Sequence, residues 1–454
     1  MNHARSAPLS LARRPSPPRR VRPRAVCAGV ALALAAAAPV TAQQQAATPD
    51  AGRARQLEEM RAASAQVMDA LREAGPSPLG ALEVVRRLYA DSAHALAYRQ
   101  VVALEGLRLA AEVGAWDEAL RYADVVYGDE GHQAPAAAGA LDGRRPVDAL
   151  RYLADAASRT QVVMINEAHH VPQHRAFTLR LLAELRRRGY RYFAAETLSS
   201  ADEGLARRGY PTAATGPYIG EPLYGDLVRT ALRLGYTVVP YEASPGDPDR
   251  ERAQAEHLAR RILDHDPHAR ILVHAGYNHV NENGTLAGHA PMAAQFRQLT
   301  GIDPLTVDQT VMSERADHAL EHPLYALATG PLGIRAPTVF VDAAGHGWTA
   351  QPGTRDLTVF HPRTVVRDGR PDWMRLEGAR RPAAIPAGVC GAAPRCLVRA
   401  RAAAEGEDAV PVDQVEISGT HTPPALLLPP GDYVVRSENA NGFVLRSWSI
   451  TVPR

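Results

Sequence analysis

From about position 146 the chain alternates short apolar runs with segments whose apolar residues recur at helical spacing. That alternation restricts it to βαβ units stacked around a parallel sheet. Four runs read as strands, at 161–165, 190–195, 236–241 and 270–275, and further β-like runs follow at 304–307, 338–341 and 357–360. Between the first two, Pro172 suits the first turn of a helix, and Phe177, Leu181, Leu182 and Leu185 then share one face. The fold class expected is therefore α/β, a parallel sheet flanked by helices.

In open parallel sheets ligands bind beyond the carboxyl ends of the strands, where loops converge and helix N-termini point inward. The first run leads into Asn166, Glu167, Ala168, His169 and His170, the second ends in Glu196, the third in Glu242, and the fourth passes through His274 and Tyr277 to His279. A Gly-Tyr pair opens the second and third runs, and a glutamate follows seven positions after each glycine (Gly189 to Glu196, Gly235 to Glu242), which puts equivalent carboxylates on strand ends.

One strand-end glutamate is ordinarily a solvated loop residue or a helix cap; several glutamates and histidines at one edge point to a site. The expected catalytic set is Glu167, His170, Glu196 and His279, with His169, Glu242, Arg250, His274 and Tyr277 as substrate-binding residues. His170 is the expected general base, Glu167 and Glu196 orient it or position water, and His279 is a second base or oxyanion stabiliser. Water would then be the nucleophile on an ester, lactone or amide of a small molecule or peptide. No G-x-S-x-G elbow occurs, which argues against a serine triad of the usual α/β type.

The same Glu167, His170, Glu196 and His279 are competent ligands for a divalent metal, which would activate water instead. Glu167-x-x-His170 is not the helical H-E-x-x-H of zinc proteases. No cofactor is required by the hydrolytic reading, while a divalent metal or haem belongs to its alternatives. A degenerate site in an envelope scaffold is a further alternative. The Gly-, Pro- and Tyr-rich stretch 199–224 follows Glu196 directly and reads as a lid, with Tyr210, Tyr218 and Tyr224 as candidate substrate contacts.

The flanks differ in pattern. Residues 1–42 read as a secretory signal peptide, since seven arginines and no acid precede an apolar run at 26–40 that is too short to cross a bilayer. The mature chain is thus expected from Gln43, periplasmic or secreted, with no transmembrane segment. Residues 43–145 show helical spacing, as at Leu57, Met60, Ser64, Val67 and Leu71, and predict a helical N-terminal layer. The α/β domain spans 146–379. Residues 380–454 alternate, with Trp448, Ile450 and Val452 opposite Ser447, Ser449 and Thr451, and predict a C-terminal β-sandwich.

Every one of the 51 basic residues is arginine, and with the leader removed 44 of them face 49 acids, a net of −5 with histidine neutral. No arginine stripe interleaved with aromatics survives, so no nucleic-acid partner is expected. Cys27 leaves with the leader, and Cys390 and Cys396 remain as a pair suited to a local disulfide in an oxidising compartment.

Taken in order, Asn166-Glu167-Ala168-His169-His170, then Ala195-Glu196, then the segment from Arg250 to Leu258, then Ala275-Gly276-Tyr277-Asn278-His279 resemble the motifs of one superfamily. It is the group containing erythromycin esterases, ChaN-like haem-uptake lipoproteins and Tiki-type proteases. The resemblance covers 162–280 and implies that Glu167, His170, Glu196 and His279 form the shared site, with Arg250 matching the arginine that opens the esterases' R-E-x-x-M-A-E-N helix. Gln254 and His257 stand where that helix has methionine and asparagine, and Asn166 replaces the glycine before Glu167. These departures tell against a macrolide substrate. The Tiki and ChaN-like branches imply the alternatives of a metalloprotease and of a haem- or metal-binding uptake protein; haem ligation in the latter would want an accessible tyrosine, for which Tyr241 and Tyr277 are the candidates.

Overall fold

The computed structural model describes residues 51–91, 95–128, 139–418 and 423–454. The expected signal peptide and residues 129–138 of the expected helical region lie outside the described residues. No helix among them is long and apolar enough to cross a membrane.

Six parallel strands form the central sheet: β2 (Val162–Glu167), β3 (Tyr192–Ala195), β4 (Thr237–Pro240), β5 (Ile271–Gly276), β6 (Leu305–Asp308) and β8 (Leu357–Thr358), in the order β4-β3-β5-β2-β6-β8. Because strand side chains alternate, Val163, Ile165, Phe193 and Leu272 bury against helices Ala149–Ala157, Pro172–Arg187 and Pro222–Arg233 on one face. Val162, Met164, Ala194, Ile271 and Val273 bury against helices Arg250–Leu258 and Met292–Thr300 on the other.

The order of the strands locates the cleft. From β2 the chain crosses to β3 and then β4 on one side of the sheet, whereas from β5 it crosses to β6 on the other. Neighbouring β2 and β5 therefore send their connections in opposite directions, and the loops part beyond their carboxyl ends. Glu167 closes β2 and Gly276 closes β5, paired in register.

Two β-like runs behave differently from the rest. β7 (Thr338–Val341) is outside the sheet and pairs antiparallel with β1 (Arg145–Asp148). β8 stops at Thr358 because Phe360 turns to bond Thr338.

The N-terminal layer contains helices Ala51–Glu73, Pro78–Ala90, Leu96–Glu112 and Trp116–Tyr127, packed around Val67, Leu79, Leu82, Val102, Leu107 and Leu109. At the other end of the chain, Arg395–Ala402, Asp413–Ser418, Gly431–Glu438 and Val444–Val452 make a four-stranded antiparallel sheet, and Arg381–Ala383 pairs with Leu426–Leu428. Cys396, Val398, Val415, Ile417, Leu426, Leu428 and Val435 pack together as the core of this module. Cys390 and Cys396 are joined by a disulfide.

The two ends of the chain meet. Leu397 enters the helical core, and Arg86 lies 2.6 Å from both Glu118 of the helical layer and Glu416 of the β-module. Alternation fails at Asp413 and Gln414, both buried, because each has a partner outside the sheet. Asp413 pairs with Arg370 at 2.8 Å, and Gln414 donates to the Glu112 carbonyl at 2.6 Å.

Candidate active site

Glu167 is 2% exposed, and its carboxylate is fully engaged. Arg175, in the first turn of the following helix, donates Nε to Oε2 and Nη2 to Oε1 at 2.6 Å each. His169 Nδ1 lies 2.9 Å from Oε1 and His274 Nε2 lies 2.8 Å from Oε2. Burial pushes the carboxyl pKa up, but the charge and hydrogen bonds of Arg175, with His274 and His169, hold it well below the usual range. Glu167 is thus a buried anion. His274 is itself 1% exposed, with Nδ1 buried and unpartnered, so Nε2 carries the proton donated to Glu167.

A second network surrounds Arg250. Its guanidinium clamps Glu242 at 2.9 and 2.8 Å, reaches Glu196 Oε1 at 2.6 Å, and sets Nη1 2.8 Å from His279 Nε2. The Gly276 N–H donates to the other Glu196 oxygen. The Glu196 carboxyl is held low: burial opposes this, but the charges of His279, Arg250 and His169 prevail. His279 Nδ1 lies 2.8 Å from Glu251, which is 4% exposed and also accepts from the Met292 N–H. Burial lowers the His279 pKa, yet Glu251 and Glu196 raise it overall. A proton on Nε2 would face the guanidinium, so protonation of His279 and its Arg250 contact exclude one another.

The adjacent histidines part company. His169 stacks on the Tyr218 ring, with centroids 4.5 Å apart, and approaches Gly276 so closely that a Cβ there would come within 2.6 Å of Nε2. Its side chain is 16% exposed, and Nε2 has no hydrogen-bond partner among the described residues. The same Cβ would lie 3.0 Å from Glu196 Oε2, so His169 and Glu196 both close on the Gly276 backbone. His170 instead stacks on Tyr127 of the helical layer and sets Nδ1 3.3 Å from the Tyr277 hydroxyl. Burial, with the charge of Arg315, pushes its pKa down to about 3.

Tyr277 has a positive φ of 42°, a strained conformation for a side chain of this size. It is held there from both ends. Its carbonyl accepts from Asn166 at 2.8 Å and Arg355 at 3.3 Å, and its hydroxyl is 2.7 Å from that of Tyr127. Asn166 and Arg355 both converge on buried Asp308.

The edge therefore brings Glu167, His169 and His274 into one network and Glu196, Glu242, Arg250 and His279 into another, with His169 between them. His170 makes no hydrogen bond to Glu167 among the described residues. Of the lid tyrosines, Tyr218 reaches His169, whereas the Tyr210 hydroxyl accepts from Gly406 and that of Tyr224 donates to the Glu196 carbonyl. Arg175, Glu251, Tyr127, Asp308 and Arg355 were not legible as site residues. The only sequence signals were the position of Arg175 on the helix opened by Pro172 and the adjacency of Glu251 to Arg250.

Among the described residues no group of three or more His, Cys, Asp and Glu side chains could hold a metal ion. The chemistry of Glu167, His170, Glu196 and His279 explains this: two guanidiniums already occupy the carboxylates and one of them caps His279. A divalent cation does not fit this donor set. Nor do the tyrosines suit haem, since Tyr241 is fully buried with its hydroxyl 3.0 Å from the His274 carbonyl, and the Tyr277 hydroxyl is engaged by Tyr127.

No family model and no curated protein matches the chain. Two solved structures of bacterial protein toxins show similarity at 12% and 14% identity, over 50% and 56% of this chain, with TM-scores of 0.28 and 0.29. The matches span 53% and 65% of those structures.

Proposed function

We propose that the chain is an exported hydrolase in which His169, backed by Glu167, activates water against an ester, lactone or amide. The observation that carries this reading is the 2.9 Å contact between His169 Nδ1 and a buried, ionised carboxylate. An Nδ1–H donated to Glu167 leaves the lone pair on Nε2, the nitrogen without a protein partner. Water at Nε2 loses its proton there, and the hydroxide attacks the carbonyl carbon.

Arg250 makes four hydrogen-bond contacts with its five N–H groups, which leaves one Nη1 hydrogen for the developing oxyanion. His170, with its depressed pKa, is too weak a base for this task and instead steadies Tyr277. The disulfide supports the oxidising compartment, periplasmic or secreted, that the leader implies.

The test is hydrolysis of a panel of alkyl esters, aryl esters and lactones by the purified chain and by His169→Ala. Loss of a general base lowers kcat about 10²- to 10⁴-fold. Equal rates for the two proteins across the panel would refute the reading.

A further inference from the structure

We infer that Tyr218 is the proton donor to the leaving group in this reaction, an assignment that rests on the hydrolase reading above. Its ring lies 4.5 Å from that of His169 at an interplanar angle of 23°. The charges that act on its phenol come from two parts of the fold: Glu196 and Arg250 from the sheet edge, Arg108 and Glu105 from the helical layer. The Tyr218 ring is thus stacked on the base, and charges of both the sheet edge and the helical layer act on its phenol.

The other tyrosines of the site have committed hydroxyls. Tyr224 donates to the Glu196 carbonyl, Tyr241 to the His274 carbonyl, and Tyr127 and Tyr277 bond to each other. Among the described residues the Tyr218 hydroxyl has no hydrogen-bond partner. Its loop is nonetheless fixed. Gly216 packs directly on the Thr197 carbonyl, and Ile219 is buried in the main core. A ring stacked on the base, with an uncommitted hydroxyl, is what a donor to substrate requires. Burial and the nearby glutamates also raise the phenol pKa, so the proton is present throughout the neutral range.

The proton balance closes. His169 Nε2 takes a proton from water as the C–O bond to hydroxide forms. On collapse the bond to the leaving alkoxide breaks, and the alkoxide takes the Tyr218 proton. The tyrosinate is reprotonated from the His169 imidazolium through solvent, which returns both groups to their starting states and releases acid and alcohol.

The test compares kcat/KM for ethyl butyrate, a poor leaving group, with that for p-nitrophenyl butyrate, which needs no donor. The comparison uses wild type and Tyr218→Phe, a variant that keeps the stacked ring, with unfolding midpoints to confirm an intact fold. We expect the ethyl to p-nitrophenyl ratio to fall about 10²-fold in Tyr218→Phe. A ratio unchanged from wild type, whether both rates fall together or neither falls, would overturn the assignment while leaving the His169 result standing. If His169→Ala matches wild type on both esters, the hydrolase reading fails and this assignment with it.

Discussion

Arg175 grips Glu167 through both carboxylate oxygens at 2.6 Å, and neither side chain is more than 3% exposed. Removing one partner of a buried pair strands the other charge, which costs about 3–5 kcal/mol. Glu167→Gln should therefore unfold at a markedly lower denaturant midpoint than wild type. An unshifted midpoint would mean that Glu221, already paired with Arg175 at 2.9 Å, compensates the guanidinium by itself.

Gly276→Ala should disable the site without unfolding the protein. The backbone there is ordinary, with φ −80° and ψ 143°, so alanine is not strained. Its methyl group would nonetheless lie within 2.6 Å of His169 Nε2 and 3.0 Å of Glu196 Oε2, and the imidazole must move. A base displaced by about 1 Å costs on the order of 10²-fold in rate. The check is activity beside far-ultraviolet circular dichroism, with wild-type turnover as the contrary result.

Stability should peak near pH 6.5. His170 and His361 are pushed down to about 3 by burial, and His174 is lowered by burial and by His361. Between the ordinary histidine value of 6.5 and their folded values the unfolded chain binds more protons at these three sites. Stability therefore falls as pH falls through that window, by up to about 1.4 kcal/mol per pH unit for each proton. His279 acts in the opposite sense: raised in the fold, it contributes stability below 6.5 that is lost as pH rises through its folded value. Unfolding free energies at pH 5, 6.5 and 8 check this, and a steady rise from 5 to 8 would contradict it.

Asp413 should bind the β-module to the α/β domain. It pairs with Arg370 at 2.8 Å, both at most 1% exposed, and accepts the Leu427 N–H at 2.6 Å. Asp413→Ala leaves Arg370 as an uncompensated buried charge and should cost about 3–5 kcal/mol. Limited proteolysis should then release the segment beyond Arg380 at denaturant concentrations where the wild-type chain stays intact.

The strands were legible because a buried parallel strand must be a short apolar run, and β2, β3, β4 and β5 each fall inside or within two residues of such a run. Their polar ends were legible for the same reason, since apolar character stops where the chain leaves the sheet. The pairing of Glu167 with His169 rather than His170 was not. Two successive residues in a loop point apart by amounts set by local φ and ψ, and here the choice depends on the missing side chain at Gly276, which opens the space for one imidazole.

The sequence by itself determined the α/β layering, the shared edge for Glu167, Glu196, Glu242 and His279, and the disulfide pair, because periodicity and strand ends are local properties. Only the tertiary structure decided that Arg175 and Arg250 neutralise the carboxylates, that Tyr127 comes down from the helical layer onto His170, and that the β-module closes against Arg86. Those contacts join residues far apart in the chain or across elements, and a buried charge takes whichever partner the packed fold delivers within reach.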